Sequence, residues 1–129
     1  MAGDALPPEV RQFIASHLAS VEELEILLLL AKGEKQEWTV DPIYQIILSS
    51  RSSVERALEK FVADGLAHKS VAGATSVYRF QPKGGDSAIQ ELARSYREAP
   101  VRVIAAIYQK SHDSVQGFAD AFKIKRDDP

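Results

Sequence analysis

The chain has 129 residues, of which 45% are hydrophobic and 26% are charged, and its formal net charge is −2. These values predict one folded domain with one core, and they exclude a chain that attracts polyanions over its whole surface. The absence of cysteine excludes disulfides, zinc ribbons and thiol catalysis, and it favours a cytoplasmic location.

Positive charge is concentrated in the middle of the chain. Residues 1–48 contain three Lys/Arg and eight Asp/Glu, whereas residues 49–83 contain six Lys/Arg and three Asp/Glu. Residues 84–129 contain seven Lys/Arg and seven Asp/Glu. The longest apolar run, in "EILLLLAKG", is far shorter than the roughly 20 residues that cross a bilayer. The start "MAGDALPPEV" lacks the basic and apolar regions of a secretory signal. We therefore expect no membrane association, and we expect a polyanion partner, if there is one, to meet residues 49–83.

Apolar spacing predicts two helices near the start of the chain. The first covers about 7–18, since Pro7 and Pro8 fit a first helical turn and the residues after them recur at helical spacing. Ser20 and Glu23 form a capping-box pattern that starts the second helix, and Gly33 can end it. The second helix is apolar around nearly its whole circumference, so it belongs at the centre of the domain.

A pair of helices with a tight turn between them follows the short, β-prone segment "EWTV". Thr39 or Asp41 can cap a short third helix with Pro42 in its first turn. Ser52 and Glu55 repeat the capping-box pattern and predict a fourth helix over 53–64. Its apolar positions follow the helical rule without a gap: Val54, Ala57, Leu58, Phe61 and Val62.

A β-hairpin over 66–81 and further helices complete the predicted elements. Gly65 ends the fourth helix, and "LAHKSV" and "SVYRFQP" alternate around the turn residues "AGAT". After the break "PKGGD", Asp86 can cap a fifth helix over 87–98 that ends before Pro100. The segments "VRVIAAIYQK" and "DSVQGFADAFKIKR" predict two more helices.

The run "WTVDPIYQIILSSRSSVERALEKFVADGLAHKSVAGATSVYRFQP" resembles the winged helix-turn-helix domains of bacterial transcription regulators of the MarR and PadR type. With the two preceding helices, the resemblance covers about residues 7–82. It implies a mostly α fold with a small β-hairpin wing, a winged helix-turn-helix domain over residues 1–83. The helices predicted after "PKGGD" then form a C-terminal helical extension over residues 84–129. The resemblance also implies that the fourth helix lies in the major groove of double-stranded DNA and that the hairpin contacts the adjacent backbone or minor groove.

Arginine, lysine and serine side chains on these elements can meet base edges or phosphates. The candidate DNA-binding residues are Ser50, Arg51, Ser52, Ser53, Arg56, Lys60, Lys69, Arg79 and Lys83. Several of them have a structural alternative. Ser52, together with Glu55, can simply cap the helix, and Lys60 can pair with Asp64 one turn later. Arg51 and Arg56 can be ordinary solvated arginines. Cations on the hairpin can equally protect a solvated edge strand.

The C-terminal helices carry more apolar surface than a helix with one wet face needs, which predicts a homodimer. A dimer also suits a DNA-binding protein, because two half-sites raise affinity through effective concentration. The predicted interface residues are Val101, Ile104, Ile107, Tyr108, Phe118 and Phe122. The alternative is that these helices pack back on the winged domain.

Three functions remain open at this stage: a sequence-specific DNA-binding transcriptional regulator, a winged-helix module that binds protein instead of DNA, and a ligand-sensing regulator. In the third, Trp38, Tyr96 and Tyr108 would line a pocket between the winged domain and the last helices. Catalysis is not expected, because the three histidines are scattered and no nucleophile, cofactor or metal motif accompanies them.

Overall fold

The computed structural model describes residues 6–32 and 37–109 of the chain. The elements, in chain order, are α1 (Pro8–His17), α2 (Val21–Ala31), α3 (Val40–Ile47), α4 (Arg51–Ala63), β1 (Ala67–Ala72), β2 (Thr75–Phe80), α5 (Ser87–Glu98) and α6 (100–109). This order confirms the predicted winged helix-turn-helix followed by helices, and the predicted bounds of α5 are matched. The predicted helix over "DSVQGFADAFKIKR" lies outside the described residues.

Helix α2 lies at the centre of the core, as its apolar circumference predicts. Five of its eleven residues are buried, and it contacts α3, α4, α5 and β2. A helix that is hydrophobic on all sides must be surrounded by other elements, since water would otherwise meet its leucines. The positions of the neighbouring helices therefore follow from the burial of α2.

The start of α2 carries the predicted cap in a modified form. The Ser20 hydroxyl accepts a hydrogen bond from the Glu23 amide at 3.1 Å, as in a capping box. The Glu23 carboxylate accepts from the amide of Ala19 at 2.8 Å, one residue before the expected donor. Helix α2 ends at Ala31, and its predicted stop, Gly33, lies outside the described residues.

Helix α4 begins two residues earlier than predicted, because Ser50 caps it instead of Ser52. Ser50 has the extended backbone of a cap, and its hydroxyl accepts from the Ser53 amide at 3.1 Å. The capping-box pattern favoured Ser52 because Glu55 follows it by three residues, but one cap bond is sufficient to satisfy an N-terminal amide. The prediction that Ser52 and Glu55 hold the start of the helix was therefore wrong.

The wing is an antiparallel hairpin, and its sheet is extended by one residue pair from the segment before α3. Strands β1 and β2 pair from Ala67 with Phe80 to Ala72 with Thr75. Trp38 forms an isolated bridge with Tyr78: the Trp38 amide donates to the Tyr78 carbonyl at 2.8 Å, and the Tyr78 amide donates back at 2.7 Å. The β-prone "EWTV" thus attaches the wing to the chain that leads into α3.

Helices α5 and α6 pack back on the winged domain. Helix α5 contacts α1 and α2, and its residues Ile89 and Leu92 belong to the same buried cluster as the leucines of α2. Val103 and Ile107 of α6 are fully buried in that cluster. Ile107 is consequently unavailable to a partner chain, so its prediction as a dimer-interface residue was wrong.

Among the glycines of residues 6–32 and 37–109, Gly65 should be the one that the fold tolerates losing least. Its φ is +80°, and a Cβ there would lie 3.0 Å from Cδ of Lys83. We expect Gly65→Ala to lower the free energy of unfolding by about 1–2 kcal/mol, because a residue with a Cβ is unfavourable in the left-handed region. Gly84→Ala is the control, since nothing lies within 4 Å of a Cβ at that position. Equal unfolding midpoints in urea for the two variants would contradict the prediction.

Candidate nucleic-acid interface

Helix α4 has one face in the core and one face toward solvent. Val54, Leu58 and Phe61 are fully buried on the inner face. Arg51, Ser52, Glu55 and Arg56 are exposed on the first two turns. The outer surface of α4 is therefore most accessible near its N-terminus, where the positive end of the helix dipole also lies.

Arg51 is held in place by two residues of α3. Its Nε donates to Oδ1 of Asp41 at 2.7 Å, and its guanidinium carbon lies 4.7 Å from the centroid of the Tyr44 ring. The hydrogen bond to Asp41 raises the pKa of Arg51. With 63% of the side chain exposed, the guanidinium is oriented by α3 while remaining open to solvent.

The serines around Arg51 form a loose polar group with Arg56. Arg56 donates from Nη2 to Oγ of Ser53 at 3.4 Å, and the hydroxyls of Ser50 and Ser52 are 3.4 Å apart. These are long contacts that water or a ligand can replace at little cost. The structure thus brings the five predicted residues from Ser50 to Arg56 together at one end of α4.

Lys60 does not point to the same surface. Its Nζ donates to Oε1 of Glu23 at 2.8 Å, which ties the last half of α4 to the start of α2. Asp64 instead pairs with Nδ1 of His17 at 3.0 Å. The predicted pair between Lys60 and Asp64 was therefore wrong, because each side chain finds a partner on another helix that sequence spacing could not reveal.

A cluster of three residues joins α4 to the wing, and we name Glu59, Lys69 and Tyr78 the wing anchor. Oε2 of Glu59 accepts from the Tyr78 hydroxyl at 2.6 Å and from Nζ of Lys69 at 2.7 Å. The pKa of Glu59 is lowered, mainly by the hydrogen bond from Lys69 and also by the one from Tyr78. The pKa of Tyr78 is raised, mainly by burial and also by its hydrogen bond to Glu59. The wing anchor fixes the direction in which the hairpin leaves α4.

Sequence reasoning missed the wing anchor, although one signal for it was present. Lys69 and Tyr78 face each other across the hairpin, so a correct register places both side chains on one face of the sheet. Nothing in the sequence, however, indicated that this face packs against Glu59. The helical spacing of α4 places Glu59 opposite the apolar stripe, and this pattern by itself indicates a solvent-facing side chain.

The last two predicted DNA-binding residues, Arg79 and Lys83, lie at the base of the wing. Nη2 of Arg79 is 3.4 Å from Oε2 of Glu37, and the Lys83 side chain lies beside Gly65. The outer part of the hairpin, "SVAGATS" (70–76), contains no charged residue. Any electrostatic contact by the wing must therefore come from its base and not from its tip.

A groove of about 230 Å³ lies between the end of α2, the end of β2 and α5, with walls formed by Leu28, Phe80, Ile89 and Ala93. None of the three aromatic residues predicted to line such a pocket is part of it. Trp38 is buried under the wing, Tyr96 donates to Glu25 at 3.1 Å, and Tyr108 is 61% exposed. Trp38, Tyr96 and Tyr108 therefore do not line this groove, and the last predicted helix lies outside the described residues.

In the part of the chain that comprises residues 6–32 and 37–109, no cluster of three or more His, Cys, Asp or Glu residues could hold a metal ion. None of its helices is long and apolar enough to cross a membrane.

Comparison with known proteins identifies the fold. No protein-family model matches the chain, and no curated protein matches it. A MarR family transcriptional regulator from Silicibacter pomeroyi superposes with a TM-score of 0.55 and 17% identity, over 91% of this chain and 79% of its own. A second MarR family transcriptional regulator, from Streptomyces coelicolor, superposes with a TM-score of 0.55 and 17% identity, over 98% of this chain and 89% of its own.

A mutant of ZitR from Lactococcus lactis, solved in complex with DNA, gives a TM-score of 0.50 and 19% identity over 81% of this chain and 73% of that one. At such identities the likeness concerns the fold. It confirms the predicted winged-helix architecture, mostly α with a small β-hairpin wing. The three structures are described as regulators or as a DNA complex, and none as an enzyme.

Acid should weaken the wing anchor, and Glu59→Gln tests this. Because the pKa of Glu59 is lower in the folded protein, its stabilising contribution is complete above the unfolded pKa of about 4.3 and is lost as the pH falls through the folded pKa. At neutral pH the variant should lose about 0.5–1 kcal/mol of unfolding free energy, the range for an exposed ion pair with a hydrogen bond.

The measurement is urea unfolding of both proteins between about pH 7 and pH 3. The difference between them should shrink toward the acid end, since wild-type Glu59 becomes neutral there. Glu55→Gln, at an exposed position one turn earlier on α4, is the control and should change little. Identical pH profiles for the Glu59 and Glu55 variants would show that the wing anchor contributes nothing.

Proposed function

We propose that the protein is a sequence-specific DNA-binding transcriptional regulator that places the N-terminal half of α4 in the major groove. The observation that carries this proposal is the open start of α4, where Ser50, Arg51, Ser52 and Arg56 are exposed. The rest of α4 is engaged with the core, with α2 or with the wing. The regulators and the DNA complex that share the fold support the proposal.

Arg51 and Arg56 are the side chains best suited to carry recognition. Arginine can donate two hydrogen bonds to the major-groove edge of guanine or to a phosphate. Asp41 and Tyr44 orient the Arg51 guanidinium before any DNA is bound, which reduces the entropy lost on binding. Further hydrogen-bond donors for phosphates or base edges are the hydroxyls of Ser50, Ser52 and Ser53. The backbone amides of the first helical turn can also donate to a phosphate.

The wing adds positive charge at its base only. Arg79 is 48% exposed despite its contact with Glu37, and Lys83 is exposed beside Gly65. Lys60 and Lys69 neutralise carboxylates of the protein itself, so they contribute less to phosphate binding. The proposed contact set is therefore Ser50, Arg51, Ser52, Ser53 and Arg56, with Arg79 and Lys83 beside them.

A protein-binding module is the second candidate, because several cations of this surface are already paired with carboxylates. Lys60, Lys69 and Arg79 each have an acidic partner, and the net charge of the chain is −2. Ile46, 56% exposed on α3, adds apolar surface that a protein partner could cover. This candidate predicts no binding to duplex DNA even at low salt.

We also propose that the regulator is a homodimer that uses the outer face of α6. Val101 is 78% exposed and Tyr108 61% exposed, and Ile104 between them is half-buried. The buried residues Val103 and Ile107 attach the opposite face to the core, so α6 can present its outer face rigidly. Phe118 and Phe122, also predicted at the interface, lie outside the described residues.

Removing both recognition arginines should weaken DNA binding and its salt dependence. For Arg51→Ala combined with Arg56→Ala we expect about a tenfold or greater loss of affinity, and a decrease of about 1–2 per protomer in the slope of log affinity against log salt. The measurement is fluorescence anisotropy on a duplex selected from a random pool. Arg11→Ala with Arg94→Ala removes the same charge from α1 and α5 and should leave the slope nearly unchanged.

The two candidate functions separate in this experiment. If wild-type protein retains no duplex from the pool at low salt, the protein-binding module replaces the DNA regulator. If it binds but the two double variants have equal slopes, the protein binds DNA through a surface other than the start of α4.

The dimer is tested by placing a charge on the outer face of α6. Val101→Asp should produce a monomer in sedimentation equilibrium, because a buried, unpaired carboxylate is strongly unfavourable at an interface. Val71→Asp introduces the same change at another exposed valine, 67% exposed on the wing, and should leave the mass unchanged. A Val101→Asp protein with the wild-type mass would place the interface elsewhere.

A further inference from the structure

Leu48, in the turn between α3 and α4, combines two unfavourable properties. Its φ of 59° makes it the only non-glycine residue in the left-handed region among residues 6–32 and 37–109. Its side chain is 83% exposed. A β-carbon is unfavourable in this backbone region, and an exposed leucine contributes little to the core. Neither the turn nor the packing of the protein therefore requires leucine here.

The backbone of Leu48 is nevertheless well defined. Its amide donates to the Tyr44 carbonyl at 2.9 Å and ends α3 in the left-handed conformation. Ser50, two residues later, caps α4. Glycine or asparagine would adopt the same cap with less strain. An ordered turn thus presents an apolar side chain directly beside the polar start of α4.

The neighbouring side chains indicate what such a residue could contact. Ser50, Arg51 and Arg56 can reach phosphates and the polar edges of bases, but their exposed ends are polar and offer little apolar surface. Across the major groove, the 5-methyl group of thymine is the apolar feature that distinguishes one base from the others. An exposed leucine is unsuited to phosphate, whereas it can cover a methyl group and remove it from water.

We propose that Leu48 is a specificity-determining residue that contacts thymine 5-methyl groups in the major groove. This inference rests on the proposed DNA-binding function, and it extends the contact surface from the start of α4 into the preceding turn. Strained residues are found at positions where ligands are bound, and Leu48 would have a contact for its side chain only in the complex. Sequence preference then depends on a methyl contact as well as on the arginines.

Deoxyuridine provides a direct test, because it lacks the methyl group and keeps the hydrogen-bonding edge of thymine. A duplex selected from a random pool by the wild-type protein is resynthesised with each thymine replaced singly by deoxyuridine. At one or more positions we expect about a fourfold loss of affinity, the factor that corresponds to about 0.8 kcal/mol for one buried methyl group. Leu48→Asn should bind the thymine and deoxyuridine duplexes equally.

Two properties of the variants distinguish this role from a structural one. Asparagine tolerates the left-handed region, so Leu48→Asn should melt at the wild-type temperature or above it while losing the methyl discrimination. Leu48→Met keeps an apolar side chain of similar volume and should retain most of the discrimination. A protein in which Leu48 only stabilises the turn would show the opposite: a lower melting temperature for Leu48→Asn and the same thymine-to-deoxyuridine ratios as wild type.

The outcomes separate the inference from the function on which it rests. If no duplex is retained from the pool, DNA binding itself is wrong, and Leu48 becomes a candidate contact for a protein partner. If duplexes are retained but no thymine replacement changes wild-type affinity, the regulator stands and the role of Leu48 is overturned. The same conclusion follows if Leu48→Asn discriminates as strongly as wild type.

Discussion

The burial of α2 is the constraint on which the rest of the structure depends. Its leucines and isoleucine cover most of its circumference, so exposing them to water would cost a large hydrophobic free energy. Helices α3, α4 and α5 and strand β2 therefore surround it. Once α4 packs its apolar stripe against this core, its opposite face must point outward. The accessible surface of the protein is thus a consequence of how one helix is buried.

Electrostatic pairing then divides the outer face of α4 into two parts. In the second half, Lys60 reaches back to α2, and Glu59 binds the wing through Lys69 and Tyr78. In the first half, Arg51 is oriented by α3 but remains exposed. Arg56 is also exposed, and its guanidinium makes a long hydrogen bond of 3.4 Å to Ser53. The second half holds the architecture together, whereas the polar side chains of the first half remain exposed.

This division explains how a chain with a net charge of −2 could still bind DNA. General attraction between a basic surface and phosphates is not available to it, since many cations neutralise carboxylates of the protein itself. Affinity would have to come from oriented contacts at the start of α4 and from two half-sites in a dimer. Such a protein would depend more on shape and base contacts than on charge.

The sequence by itself determined the elements and their inward faces, because both are encoded by local patterns. Helical spacing identified α5 over 87–98, and alternation with turn residues identified the wing. Those signals involve residues that are neighbours along the chain, where spacing and backbone preference decide the outcome. The overall winged-helix order followed from them.

Only the tertiary structure decided which polar groups are engaged. Lys60 pairs with Glu23, Glu59 with the wing, and Ser50 takes the cap that Ser52 was predicted to form. Ile107 is buried within the chain, whereas Val101 and Tyr108 on the same helix are exposed. Ion pairs and helix contacts join residues distant in sequence, and several partners of equal chemistry compete for each side chain. Three-dimensional packing selects among them, and no local pattern can.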